Sequence, residues 1–251
     1  MIIPTRNGYD DVKRCVDSII EKTTYSNYEI ILADNGSDQP EMQELYAGYK
    51  KQLDDRFIVE SIDIPFNYSR INNLAAKVAK GKYLLFLNND TEVITPEWMT
   101  KMVSFAQFER IGCVGAKLYY PNNTIQHAGV ILGMGGAAGH GHHTFPRGDF
   151  GYFGRLEINV DYLAVTAACL MIRAKDFADL KGLTMLICVC ENMRKVTTMC
   201  GYMESNYTTS NLNPEDTKTH PKSKLGLKRK PSIWKRLGQA ILKMIRIIIR
   251  I

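Results

Sequence analysis

The sequence predicts an α/β fold in which a mostly parallel β-sheet is flanked by helices. Short apolar segments alternate along the chain with segments whose apolar residues recur at helical spacing. This alternation is typical of repeated strand–helix–strand units. Several of the apolar segments also stop abruptly in acidic, amide and turn residues. In an open parallel sheet such strand ends lie side by side, and ligands bind in the crevice that they form.

The individual elements follow from apolar spacing and from the residues that end each run. The first strand stops at Pro4, and the second ends in Asp34 and turn residues. Apolar residues three and four positions apart predict the helix between them. The third helix is expected to begin with Ser69 as its N-cap. The pattern predicts strands at 1–4, 28–34, 56–62, 83–88, 111–117, 126–132 and 166–173, and helices at 10–23, 39–54, 69–80, 96–107 and 175–181.

The strand at 83–88 carries the strongest functional signal. Its apolar run is too short for a membrane span and is typical of a strand buried on both faces. Asn88, Asn89 and Asp90 complete the segment. A carboxylate is a hard oxygen ligand for a divalent cation, and carboxamides can bond a sugar or ribose hydroxyl. A strand that ends in a simple Asx turn fits this stretch equally well when it is taken alone.

The other strand ends favour ligand binding, and together the motifs resemble glycosyltransferase family 2 with the GT-A fold. Residues 4–7 are similar to the first nucleotide-binding loop of that family. Residues 34–37 are similar to the second loop, in which the acidic residue contacts the base. Residues 88–90 stand in the place of the DxD motif, with asparagine first. The segments 125–143 and 162–170 resemble the subgroup that builds bacterial cell-surface polysaccharides.

The resemblance implies a metal-dependent, inverting transfer from a nucleotide-sugar donor to a polysaccharide or lipid-linked acceptor. Asp90 is expected to bind Mg²⁺ or Mn²⁺, which stabilises the leaving diphosphate as a Lewis acid. Asn72 replaces an arginine that many relatives place near the diphosphate. His127 is expected either to line the acceptor pocket or to satisfy a local backbone bond. Implied contacts are Pro4, Thr5, Asn7, Asp34, Asn35, Asn73, Asn88 and Asn89 with the nucleotide sugar, and His127, His140 and His142 with the acceptor.

The general base of the family is missing after the last predicted helix. The family places this carboxylate in a motif of the form Asp-Val-Asp-Leu-Cys-Leu, and residues 184–217 contain no such motif. Read in another frame, the codons for 184–188 can encode Asp-Val-Asp-Leu-Cys, and those for 206–221 can encode a stretch typical of the subgroup. We therefore expect a shifted reading frame from residue 184. The resulting chain is expected to bind its donor but to transfer little or no sugar.

The expected organisation is a transferase domain at 1–183, an aberrant and poorly ordered segment at 184–230, and a basic amphipathic helix at 231–251. Residues 218–251 hold 11 of the 32 lysines and arginines and no acidic residue. The net charge of the whole chain is +6, whereas the net charge of residues 1–217 is −5. The final helix is suited to lie in a membrane interface, unless the frame is still shifted there and the helix was never selected. Without an aromatic-rich RNA or DNA motif, no nucleic-acid partner is expected.

The cysteines suggest a reducing compartment. Cys15, Cys113 and Cys169 lie in apolar surroundings and are expected to be buried free thiols. The cysteines after residue 184 lack the regular spacing of a zinc site. Because no secretory signal is recognisable, we expect a cytoplasmic protein, with peripheral contact to the inner face of the plasma membrane through the final helix. A relative that binds the nucleotide sugar without transfer and an unrelated α/β binding domain remain open as alternatives.

Overall fold

The computed structural model describes residues 1–134, 138–183, 187–189 and 196–206. Strands and helices alternate through the first half of the chain, as the sequence predicts. The strands are β1 (Ile2–Thr5), β2 (Ile30–Asp34), β3 (Phe57–Ser61), β4 (Tyr83–Leu87), β5 (Ile111–Tyr119), β6 (Ile125–His127), β7 (Val130–Leu132), β8 (Ala138–His140), β9 (Val160–Tyr162), β10 (Ala164–Thr166), β11 (Cys169–Arg173), β12 (Ile187–Val189) and β13 (Val196–Asn206), and the α-helices are α1 (Tyr9–Lys22), α2 (Pro40–Leu53), α3 (Tyr68–Ala75), α4 (Trp98–Ala106) and α5 (Ala174–Asp179).

A large mixed sheet forms the centre of the unit that comprises residues 1–130 and 140–208. Its strand order is β3-β2-β1-β4-β11-β5-β13-β9, and β6 pairs with β5. The neighbours from β3 to β4 are parallel, whereas β11 runs antiparallel to both β4 and β5. The ends of β1, β2 and β4 therefore lie at one edge, together with the start of β11. The predicted α/β fold, a central sheet flanked by helices, is confirmed; the sheet is parallel from β3 to β4 and mixed beyond β4.

A smaller sheet pairs β10 with β12 and, through Ala164 and Val130, with β7. The second unit comprises residues 131–139 and 209–251. The structure describes 131–134 and 138–139 of this unit, which include the outer parts of β7 and β8. Within the described residues, no helix is both long enough and apolar enough to cross a bilayer.

The central strands are buried on both faces because successive side chains point to opposite sides of the sheet. On β4, Leu85 and Leu87 pack with the helices α1, α2 and α4 on one face. Leu84 and Phe86 pack with α3 and α5 on the other face. Phe86 is completely buried, and burial of such a side chain contributes about 1.5 to 3 kcal/mol. This two-sided burial explains the continuous apolar run that the sequence shows.

Several boundaries differ from the prediction for local reasons. The third helix ends at Ala75, and its N-cap is Asn67 rather than Ser69, because the Asn67 side chain accepts a bond from Arg70 N at 2.9 Å. The segment predicted as one strand at 126–132 is broken at Gly129, whose φ is +95°. A Cβ on Gly129 would lie 2.4 Å from the Tyr162 ring, so this turn requires glycine.

The segment predicted at 166–173 is also two strands, β10 and β11. The intervening residues, Ala167 and Ala168, contribute carbonyl groups to the site described below. The strands β8 and β9 were not predicted, because three-residue strands carry too little pattern to stand out.

Two strands, β12 and β13, fall inside the segment 184–230. β13 pairs with β5 through backbone groups, with irregularities in its register. The rest of this segment and the final helix at 231–251 lie outside the described residues. The three-part domain organisation and the membrane contact therefore stay predictions. Cys15, Cys113 and Cys169 are buried cysteines, as predicted.

Candidate active site

Direct hydrogen bonds join the ends of β1, β2 and β4 into one surface. The backbone N–H of Asn35 donates to Thr5 O at 2.8 Å. The Asn89 side chain reaches across from the end of β4 and donates to Thr5 Oγ1 at 3.2 Å. Thr5 is therefore the junction between the loops after the three strands. The structure brings these predicted residues together although they are far apart in the sequence.

The loop after β1 is fastened to the loop after β2 through Asn7. Its φ of +54° lies in the left-handed region, which asparagine tolerates better than most residues. The Asn7 amide donates to Asp38 Oδ1 at 2.9 Å, and its oxygen accepts from Asp38 N at 3.0 Å. The Asn7 N–H also donates to Ser37 Oγ at 2.8 Å. Asn7 thus holds both predicted nucleotide-binding loops in a fixed relation.

Asp34 and Asn35 shape the second loop from its base. One carboxylate oxygen of Asp34 accepts from the backbone N–H of Ser37 at 2.9 Å and from its hydroxyl at 2.6 Å. The Asn35 amide donates to Ile62 O and Ile64 O, both at 2.8 Å. These contacts hold the loop in place within the protein. They do not test the implied contact of this loop with a base, which stays a prediction. Pro4 precedes the junction and lies opposite Ala33 in the parallel register of β1 and β2.

The three residues after β4 form a tight turn. Asn88 N donates to Ala168 O at 2.9 Å, and Asn88 O accepts from the Thr91 hydroxyl at 2.7 Å. The Asn88 side chain lies 3.3 Å from the hydroxyl of Tyr68. These contacts fix the direction in which the chain leaves β4, and Asp90 is partly buried in this turn.

The Cys15 thiol packs beneath the turn. Burial raises the pKa of Cys15 to about 12, and the negative charge of Asp90 adds to this shift. Cys15 therefore stays a neutral thiol near pH 7 and does not act as a second anionic ligand. The carboxylate of Asp90 supplies the negative charge of this turn.

Asn73 faces a backbone segment rather than the open crevice. Its amide donates to Leu183 O at 2.9 Å, and its oxygen accepts from Leu183 N at 2.8 Å. A Cβ on the neighbouring Gly182 would lie 2.6 Å from the Asn73 oxygen, and Gly182 has a φ of +92°. Both ends of the Asn73 carboxamide are thus occupied by Leu183, and its implied contact with the donor stays a prediction. The adjacent Asn72 is completely buried.

Two of the three predicted acceptor histidines, His127 and His140, are joined by a hydrogen bond. His127 is completely buried, and its Nε2 accepts from Thr166 N at 3.4 Å. That contact leaves the proton on Nδ1, which lies 2.8 Å from His140 Nδ1. Burial lowers the pKa of His127 to about 3, and His140 adds to the shift. The structure therefore supports the backbone-bonded interpretation of His127, which could act on an acceptor only through His140.

His140 and His142 lie closer to the surface. The pKa of His140 is lowered by partial burial and by His143. His142 Nε2 accepts from Tyr152 N at 3.4 Å, and the pKa of His142 is lowered by burial and by Arg155. Both rings are therefore biased towards the neutral form, which can donate and accept hydrogen bonds with sugar hydroxyls.

The structure adds residues that sequence reasoning missed. Tyr68, Thr91 and Ser37 each hold one of the predicted site residues in place. Thr91 directly follows a recognised motif and Ser37 is the last residue of another, so their position in the sequence could have indicated a role. Tyr68 lies at the start of α3, and nothing in the local sequence pattern connects it to Asn88.

Within the described residues, no three histidine, cysteine, aspartate or glutamate side chains come together to hold a metal ion. A carboxylate at Asp90 would be one protein ligand for a cation that the substrate also binds. Mg²⁺ is commonly held in this way, by one or two carboxylates and substrate phosphates. The oxygen donors Asp90, Asn88 and Asn89 fit such a hard cation chemically.

Comparison with known proteins gives the family. The profile described as "Glycosyl transferase family 2" matches residues 1–180. The uncharacterized protein y4gI of Sinorhizobium fredii is 46% identical over 183 residues, covering 73% of this chain and 20% of that protein. The O-antigen biosynthesis protein RfbC of Myxococcus xanthus is 41% identical over 191 residues, covering 76% of this chain and 15% of that protein. The chain thus matches a fifth or less of the length of these relatives.

Solved structures show the same fold. The crystal structure of GalNAc-T7 with UDP, GalNAc and Mn²⁺ superimposes with a TM-score of 0.64 at 16% sequence identity. The match covers 82% of this chain and 43% of that one. A sequence identity this low supports a shared fold only. Together with the matched profile and the two relatives, the strand ends and loops described above place this chain in glycosyltransferase family 2.

Proposed function

We propose that the crevice at the ends of β1, β2 and β4 binds a nucleotide-sugar donor. The observation that carries the proposal is the junction at Thr5, which joins the two predicted nucleotide-binding loops to the turn that contains Asp90. The complete enzyme would transfer the sugar, with inversion, to a polysaccharide or lipid-linked acceptor. The name of the Myxococcus xanthus relative, an O-antigen biosynthesis protein, supports cell-surface polysaccharide as the product.

A divalent cation, Mg²⁺ or Mn²⁺, is part of this proposal. Asp90 would hold it, with the carboxamides of Asn88 and Asn89 beside it and the donor diphosphate completing its ligands. The presence of Mn²⁺ together with UDP in the crystal structure of GalNAc-T7 supports this choice. When bound, such a cation stabilises the negative charge that develops on the leaving diphosphate. The chain's own contribution is to fix the Asp90 turn through Ala168 and Thr91.

We also propose that this chain lacks the general base. An acceptor hydroxyl has to lose its proton as it attacks, and a positioned carboxylate contributes about 10² to 10⁴-fold to such a step. The resemblance places this carboxylate just after α5, where the sequence from residue 184 carries no corresponding motif. The missing motif favours a second candidate function, a relative that binds the donor but does not transfer it.

The test compares the 251-residue chain with a version in which the reading frame is corrected from residue 184. UDP binding is measured by calorimetry with and without Mn²⁺, and transfer is followed as release of UDP from UDP-sugars in the presence of acceptor glycans. We expect Mn²⁺-dependent UDP binding by both proteins and at least about 100-fold faster transfer by the corrected one. Equal turnover would refute the loss of the base. Absence of metal-dependent nucleotide binding from both would refute the proposed function.

A further inference from the structure

The Asn88 carboxamide is held by Tyr68, a residue that none of the recognised motifs contains. The Tyr68 hydroxyl lies 3.3 Å from the Asn88 side-chain oxygen and 2.8 Å from Ala167 O. Tyr68 stands at the start of α3, and its backbone oxygen accepts from the buried Asn72 amide at 2.9 Å. The Asn72 bond therefore fixes the backbone of Tyr68, from which its hydroxyl reaches the end of β4.

Counting protons decides how these groups bond. A tyrosine hydroxyl has one proton to donate, and both of these neighbouring oxygens are acceptors. Ala167 O is a carbonyl and can only accept, and it is the closer of the two at 2.8 Å. The proton of Tyr68 therefore goes to Ala167. Its oxygen then faces Asn88 as an acceptor.

The two ends of a carboxamide have the same shape, so their assignment follows from the hydrogen bonds that they make. Facing an acceptor, Asn88 has to present its NH₂ group. We infer that Asn88 donates to Tyr68 through Nδ2 and turns Oδ1 towards the crevice. Tyr68 is thus a positioning residue that makes Asn88 a hydrogen-bond acceptor for a donor hydroxyl, beside the carboxylate of Asp90.

This arrangement explains how asparagine serves at the first position of the DxD-like triplet. An aspartate offers an acceptor oxygen in either orientation, whereas asparagine offers one only when its amide is correctly turned. Without Tyr68, the carboxamide could present NH₂ to a ligand hydroxyl instead of oxygen. Tyr68 thereby selects the orientation in which Asn88 offers an acceptor oxygen. The inference rests on the proposed donor site.

A double-mutant cycle separates positioning from support of the fold, because Tyr68 also bonds Ala167. Dissociation constants for UDP with Mn²⁺ are measured by calorimetry on the full chain and on Tyr68→Phe, Asn88→Ala and the double variant. Tyr49→Phe is the matched control, because its hydroxyl bonds Asp17 on α1 at 2.8 Å, outside the donor site. Thermal melting of all variants reports effects on the fold.

We expect Tyr68→Phe to weaken UDP binding by about 5 to 10-fold, the value of one hydrogen bond, and Tyr49→Phe to leave it unchanged. In the Asn88→Ala background the same change at Tyr68 should have no further effect on affinity. Equal losses in both backgrounds, or no loss in either, would overturn the positioning role and leave the donor site standing. A parent chain that fails to bind UDP with Mn²⁺ would overturn the proposed function as well.

Discussion

Replacing Arg173 by alanine tests how the sheet is fastened at the edge opposite the crevice. Arg173 is the last residue of β11, and its guanidinium donates to Ala106 O at 2.6 Å and to Phe108 O at 2.8 Å. It also forms an ion pair with Asp176, and the two side chains are only 13% and 6% exposed. One planar group therefore joins β11 to the end of α4 and compensates a buried carboxylate.

Removing one partner of a buried ion pair costs about 3 to 5 kcal/mol, because the other charge stays buried. We expect Arg173→Ala to lower the free energy of unfolding by about 3 kcal/mol or more. Arg173→Lys should have an intermediate effect, since it keeps the charge but loses the forked geometry. The control is Arg14→Ala, which breaks an ion pair with Asp11 whose side chains are 37% and 19% exposed, and should cost about 1 kcal/mol or less.

The assay is urea unfolding of the full chain, followed by tryptophan fluorescence, to which Trp98, buried in α4, contributes. Midpoints and slopes together give the free energies. If Arg173→Ala proves no more destabilising than Arg14→Ala, the interpretation of Arg173 as a buried fastening is wrong. Neither arginine belongs to the proposed donor site, so UDP affinity should be unaffected wherever the protein remains folded.

Two further predictions concern the loops and His127. Asn7→Gly and Asn7→Ala should both weaken UDP binding severalfold. The free energy of unfolding in urea should be about 0.5 to 1 kcal/mol lower for Asn7→Ala than for Asn7→Gly, because alanine is strained at a φ of +54°. Equal stabilities of the two variants would argue against that strain. His127 stays neutral in the folded chain, where its pKa is lowered to about 3, whereas in the unfolded chain it takes up a proton near pH 6.5. The free energy of unfolding should therefore fall by up to about 1.4 kcal/mol per pH unit as the pH drops below 6.5. His127→Gln should reduce that slope between about pH 6.5 and 4.5, and an unchanged slope would contradict the buried neutral state.

The strand ends were predictable because each shows a sharp local change from apolar to polar residues. Burial of β4 on both faces requires the apolar run, and the polar residues begin where the strand leaves the core. The positions of Thr5, Asn35 and Asn89 at one edge then follow from the parallel order of the strands. This part of the site depends on pattern and topology, which the sequence carries directly.

Side-chain partners were harder to predict because they depend on tertiary contacts. Asn73 bonds the backbone of Leu183, 110 positions further along the chain, and no periodicity of either segment indicates that contact. Tyr68 and Ala167 are separated by 99 positions in the same way. The proposed roles of such residues need coordinates. For His127, a hydrogen bond from Thr166 N supports one of the two alternatives that the sequence leaves open.

The break of 126–132 at Gly129 shows a third kind of limit. The apolar pattern continues across the glycine, but the left-handed turn places the backbone against the Tyr162 ring. The antiparallel direction of β11 could not be predicted either, because a continuous apolar run looks the same in both chain directions.

The most direct test of the assignment of Asp90 measures how Mn²⁺ changes the UDP affinity of the parent chain and of Asp90→Asn. Asp55→Asn is the control, because the Asp55 side chain is 96% exposed. We expect Mn²⁺ to increase UDP affinity of the parent and of Asp55→Asn, and Asp90→Asn to lose at least about tenfold of that increase, since one partner of a charge-assisted contact is removed. An Asp90→Asn variant whose UDP affinity responds to Mn²⁺ as the parent does would contradict the assignment of the cation to Asp90.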